Sequence, residues 1–149
     1  MRDNDAVYEF KLRRIKVREL KDGDRRSSPE MVHKFLEAIG LPEEENERVV
    51  VLSLDNRNNI RGYHTAAIGS GNCCSVKPVD VFRTAFMEGA KSVIIAHNHP
   101  SGCPVPSPED ITFSKRMADA GKILNVSVLD SLIVAENGFT SLMSEGKLD

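Results

Sequence analysis

Tryptophan is absent from this sequence, and aromatic residues make up only 5% of it. Aliphatic side chains must therefore fill the core. Cysteine is scarce too. There are three, Cys73, Cys74 and Cys103, an odd number with no C-x-x-C pair. That argues against a disulfide framework or a cysteine-rich zinc module, and it fits a reducing, cytoplasmic compartment. No apolar run approaches the ~20 residues that would span a membrane. The first residues, Met1 to Asp5, are charged and lack an apolar stretch, so no signal peptide is expected. An excess of one charge is also missing: 20 Lys and Arg face 22 Asp and Glu, for a net charge of −2. This balance argues against a broad electrostatic grip on nucleic acid, although a local basic patch is compatible with it.

What is present is ordinary for a globular chain: 149 residues, 40% hydrophobic and 28% charged. The length suits one domain, residues 1–149, able to bury roughly two-thirds of its unfolded surface without help from metal or disulfides. No internal repeat, low-complexity stretch or long linker interrupts it.

Hydrophobic periodicity gives the elements. Val7 to Leu20 alternates apolar and charged residues, with a phase shift near Arg13-Arg14, and predicts a kinked strand. Its basic residues, Lys11, Arg13, Arg14, Lys16 and Arg18, read as the solvated face and protected edge of a sheet. Lys21 to Asp24 is a turn, so residues 1–27 read as an N-terminal strand and turn. Ser28-Pro29-Glu30 opens a helix with Met31, Phe35, Leu36 and Ile39 as its apolar stripe, ended by Gly40. Val49 to Leu54 and Ile60 to Ile68 are strands joined by a turn at Asp55–Asn59 and pair as a hairpin. Pro78 to Gly89 spaces Val81, Phe82, Ala85 and Phe86 as a helix. Ser92 to Ala96 is a short strand, and residues 97–107 form a proline-rich loop. Pro108 to Leu124 is a helix offering Ile111, Phe113, Met117 and Ile123 for burial, and Val126 to Val134 is a strand. The rest is a short tail with a turn at Asn137-Gly138. This content predicts an α/β fold with a central mixed, largely antiparallel sheet flanked by helices.

The chemistry concentrates in His97-Asn-His99-Pro-Ser-Gly-Cys-Pro-Val-Pro-Ser107-Pro-Glu-Asp110. Two histidines at i and i+2 on a strand end point to one face. Asp110 falls in the first turn of the next helix, and the rigid loop folds that helix start back toward the strand. Two neutral nitrogens and one carboxylate suit one zinc ion and leave a fourth position for a water, whose pKa drops to about 7. Ser107 also reads as the helix N-cap, nearly a capping box with Asp110. Its hydroxyl can serve the cap and face the water site. Cys103 lies inside this loop as a small filler. A zinc-deaminase reading fails because it needs H-x-E and P-C-x-x-C, and neither is present. His33, among charged neighbours, reads as solvated. His64 stands alone in its strand.

The run H-x-H, seven residues, S, two residues, D resembles the JAMM motif of the JAB/MPN metalloprotease superfamily, and H-N-H-P-S-G-x-P-x-P-S-x-x-D is similar to its RadC-like branch. Glu47-Arg-Val-Val-Val-Leu-Ser-Leu-Asp55-Asn-Arg-Asn58, Ala85 to Ala90 leading into His97, Ala120 to Leu124, and Leu129 to Val134 extend the resemblance to residues 28–143. It implies a JAB/MPN-like, cytidine-deaminase-like architecture. It also implies that His97, His99 and Asp110 hold one zinc ion, that Ser107 supports the oxyanion, and that Glu47 is the general base. Glu45 is the alternative base. One departure is Ser131 after Asp130, where the branch commonly has a histidine, which removes a supporting hydrogen bond to the site. The branch's upstream helix-hairpin-helix region has no counterpart in the residues before the first helix. The expectation is thus a short, stand-alone form to which a DNA-binding module does not transfer.

The function these features imply is a zinc-dependent hydrolase acting on a protein or peptide. Two alternatives remain open: a DNA-associated or protein-binding module carrying the repair label of RadC, and a metal-dependent nuclease. No membrane partner is expected.

Overall fold

The apolar run of Val49–Leu54 is buried on both sides because helices cover both faces of the sheet it belongs to. The structure, a computed structural model, describes residues 6–21, 25–69 and 75–148. Its elements in order are α1 (Pro29–Ala38), β1 (Glu47–Leu54), β2 (Ile60–Gly69), α2 (Pro78–Glu88), β3 (Ser92–Asn98), α3 (Pro108–Leu124), β4 (Ser127–Ala135) and β5 (Gly138–Ser141), with a 3-10 turn at Leu41–Glu43. The five strands form one sheet in the order β2-β1-β3-β4-β5. Only β3 and β4 run parallel. The sheet is therefore mixed and largely antiparallel, as the periodicity predicts.

Local chemistry sets the turns. Asp55 Oδ1 accepts the N–H groups of Arg57 and Asn59 at 2.8 and 3.0 Å, and Asn58 takes a left-handed φ of 60°. That Asx turn folds β2 back onto β1. On one face Val49, Val51, Ile95 and Ile133 pack against Val81 and Phe82 of α2 and Phe113 and Met117 of α3. On the other, Val50, Leu52, Ile94 and Leu132 meet Val32, Phe35 and Leu36 of α1. The parallel pair is joined through α3. The end of α3 lies so close to the start of β4 that a Cβ on Gly121 would sit 2.3 Å from the Val126 carbonyl oxygen. The loop after β3 and the start of α3 thus meet at the carboxyl end of the central strand, the usual ligand position of a β-α-β unit.

Several expectations are corrected. Residues 6–21 form no strand: they carry no regular secondary structure, and Val7, Phe10, Ile15 and Val17 are exposed. The alternation reverses phase at Arg13-Arg14, so no continuous apolar face exists to lie on a sheet. The basic cluster consequently lies on this irregular segment and not on a sheet edge. Most of the turn expected at Lys21–Asp24 lies outside the described residues. The tail is more than a turn, since Gly138–Ser141 pairs with β4 as β5. In α1, Val32 is buried in place of Met31; Phe86 of α2 and Ile123 of α3 are exposed. No helix among the described residues is long and apolar enough to cross a membrane.

Candidate metal centre

His97 lies on β3 opposite Val49 of β1, and its side chain is fully buried on the α3 side of the sheet. His99, two residues on, projects to the same side, and the two rings lie 5.2 Å apart. Asp110 meets both. Its Oδ1 is 3.1 Å from His97 Nε2 and its Oδ2 is 3.0 Å from His99 Nε2. One ligand atom from each of the three residues lies within 4.8 Å of the others. Helix capping delivers the carboxylate: Ser107 Oγ accepts the Asp110 N–H and the Ser107 N–H donates back to Asp110 Oδ2. The near capping box read from the sequence is thus complete, and it aims the Asp110 carboxylate at both histidines.

The protonation pattern shows what the cluster suits. His99 Nδ1 lies 2.9 Å from the Cys103 carbonyl, which only accepts, so Nδ1 carries the ring proton. In the neutral ring Nε2 then presents a lone pair to a carboxylate oxygen. Two acceptors facing one another require a positive charge between them, either a proton or a metal ion. Without a metal, the hydrogen bond to Asp110 raises the His99 pKa against the opposing effect of burial, with further support from the Cys103 carbonyl and the charges of Asp110 and Glu47. Burial pushes the Asp110 carboxyl up, but hydrogen bonds from His97, His99 and the Ser107 N–H outweigh it and hold the group well below the usual range. Two imidazole nitrogens and an ionised carboxylate fit a divalent cation with an open coordination position. The Cys103 carbonyl fixes the His99 ring in the manner common to metal-ligating histidines. His97 Nδ1 has no such support; it is buried without a hydrogen-bond partner among the described residues.

The other expected residues are placed as follows. Glu47 opens β1 on the same face as Val49, toward the cluster, and its charge is felt at His99. Among the described residues its carboxylate makes no hydrogen bond or ion pair. Glu45 lies exposed in the bend before the strand. Cys103 contributes its carbonyl, and its exposed thiol stays outside the donor set. Ser131 is fully buried and shares a 2.7 Å hydrogen bond with Ser114 of α3. His33 is not solvated as expected, because its ring stacks on Phe139 at 4.5 Å. Burial lowers the His64 pKa, against a contact to the Asp80 carbonyl.

Asn98 received no role from the sequence. It is fully buried between the two histidines, and its amide binds three backbone groups of residues 44–48. Those partners lie 50 to 54 residues earlier in the chain, so no local sequence pattern signals the role.

Fold and donor set are consistent with a JAB/MPN-type module, which at the family level is of the metal-dependent hydrolase type. The chain belongs to the RadC-like JAB domain family, which its residues 26–147 match. Relatives include a UPF0758 protein of Carboxydothermus hydrogenoformans, 43% identical over 118 residues, covering 79% of this chain and 52% of that protein. A UPF0758 protein of Methanosarcina mazei is 37% identical over 141 residues, 95% of this chain and 61% of the relative. One of Thermotoga maritima is 44% identical over 104 residues, 70% and 47% of the respective chains. The chain thus spans about half the length of the curated relatives it matches.

Proposed function

We propose that this protein is a zinc-dependent hydrolase of peptide or isopeptide bonds. The observation that carries the reading is the convergence of His97, His99 and Asp110, with Glu47 on the same face of the sheet and its carboxylate, among the described residues, neither hydrogen-bonded nor ion-paired. A zinc ion held by the three ligands would supply Lewis acidity toward a carbonyl and lower the pKa of a water to about 7. Glu47 accepts the proton of the attacking water and passes it to the leaving amine. Ser107 Oγ uses a lone pair to cap α3, so its own hydrogen remains available to the oxyanion that forms on the carbonyl.

Metal analysis of the purified protein tests the first half of the reading. Zinc at ~1:1 is expected, and a preparation that neither contains zinc nor takes it up overturns the reading. Cleavage of peptide and of nucleic-acid substrates by wild type and Glu47→Ala tests the second half. Peptide cleavage that falls by about 10²–10⁴ in the variant is expected, in line with the contribution of a general base. Nucleic-acid cleavage in its place points to a metal-dependent nuclease, and full activity in Glu47→Ala rules out Glu47 as the base.

A further inference from the structure

Asn98 is the last residue of β3 and stands between His97 and His99, so strand alternation turns its side chain to the opposite face of the sheet, away from the metal cluster. There its amide makes three hydrogen bonds to main chain. Oδ1 accepts the Arg48 N–H at 2.7 Å, and Nδ2 donates to the carbonyls of Asn46 at 3.1 Å and Glu44 at 3.2 Å. The orientation of the amide is unambiguous, since an N–H can only donate and a carbonyl can only accept.

The placement of these partners along the chain is the informative part. The Asn46 carbonyl belongs to the peptide unit on the N-terminal side of the Glu47 Cα. The Arg48 N–H belongs to the unit on its C-terminal side. One buried side chain therefore holds both peptide planes that flank Glu47, and these planes set its φ and ψ. With both fixed, the direction of the Glu47 Cα–Cβ bond is fixed too. Resting on the reading of Glu47 as general base, we propose that Asn98 is a positioning residue that aims this carboxylate at the metal site. The strand that carries His97 then also sets the base, through the main chain of residues 44–48 and not through their side chains.

The test uses Co2+ as a visible probe and follows the pH midpoint of its absorption bands. The proteins compared are wild type, Asn98→Ala, Glu47→Gln and the double variant. Asn98→Ala and Glu47→Gln are each expected to move the midpoint by about one pH unit in the same direction. The double variant should move no further than Glu47→Gln alone. Co2+ affinity in Asn98→Ala should stay within about threefold of wild type, whereas a residue supporting the histidines would cost about 10–100-fold. Asn98→Asp keeps the acceptor for Arg48 and loses the donor. It covers a failure of the alanine variant to fold, and a partial shift is expected. An additive further shift in the double variant, a loss of Co2+ affinity of the larger size, or an unmoved midpoint in a folded Asn98 variant overturns the proposal and leaves Glu47 as base. An unmoved midpoint in Glu47→Gln instead overturns the reading of Glu47, and the clamp's purpose with it.

Discussion

Ser107 and Asp110 hold each other through two hydrogen bonds, 3.1 Å from the Asp110 N–H to Ser107 Oγ and 2.8 Å from the Ser107 N–H to Asp110 Oδ2. The same Oδ2 lies 3.0 Å from His99 Nε2. Capping the helix and holding the Asp110 carboxylate against the histidines are therefore one arrangement. Ser107→Ala is expected to cost about 1 kcal/mol of stability, or about 2–4 °C in melting temperature for a chain of this size. It should also weaken zinc binding by up to about tenfold. Thermal unfolding with and without zinc measures both effects, and an unchanged melting temperature would show that the cap contributes nothing.

The metal-free protein should lose stability with rising pH. The folded-state pKa of His99 lies above its ordinary value of 6.5 because of the hydrogen bond with Asp110. A raised pKa means that the folded state binds the proton more tightly than the unfolded state does. That contribution is fully present below pH 6.5 and disappears as pH climbs through the raised value. Zinc binding runs the other way, since it requires the deprotonated ring. Melting temperatures in EDTA should fall as pH climbs above 6.5 toward 8, while the stabilisation by added zinc grows over the same interval. A metal-free protein whose melting temperature rises across that window would contradict the assignment.

Gly121→Ala tests the close approach of α3 to β4. The added Cβ would meet the Val126 carbonyl at 2.3 Å, and that oxygen is main chain with no rotamer to yield. A loss of about 1–3 kcal/mol is expected, typical of an overpacked site. Gly62→Ala, where a Cβ meets nothing within 4 Å, is the control and should change stability by less than about 0.5 kcal/mol. Urea titration distinguishes them, and equal stabilities would remove the steric argument.

Deleting residues 1–16 should leave the fold standing. Residues 6–16 contribute no strand, whereas Leu20 packs against the α1-side core and is retained. The truncated protein is expected to melt within about 2 °C of the full chain and to bind zinc equally well. A larger drop would mean that this segment supports the domain.

These residues show where the sequence was informative. The bounds of α3 were readable because Ser107-Pro108 starts it and a left-handed Asn125 ends it, both local effects. The clustering of His97, His99 and Asp110 was readable because a two-residue spacing at a strand end and a capping position on a helix each fix direction without knowledge of the rest. The segment Val7–Leu20 was misread because alternation records what a strand would bury and says nothing about whether a sheet edge is there to pair with. β5 was missed because four residues opening with Gly138 carry too short a pattern. Asn98 was silent for a different reason. Its partners lie 50 to 54 residues earlier, and nothing local to His97-Asn98-His99 announces them.

The bond from His99 to the Cys103 carbonyl has a practical side. Main chain does the orienting, so the side chain at 103 is spare, and it happens to be an exposed thiol. With Cys73→Ser and Cys74→Ser in place, a fluorescent or spin label attached there would sit on the metal loop without replacing any group that the loop uses. The position is a natural vantage point from which to watch the cation arrive.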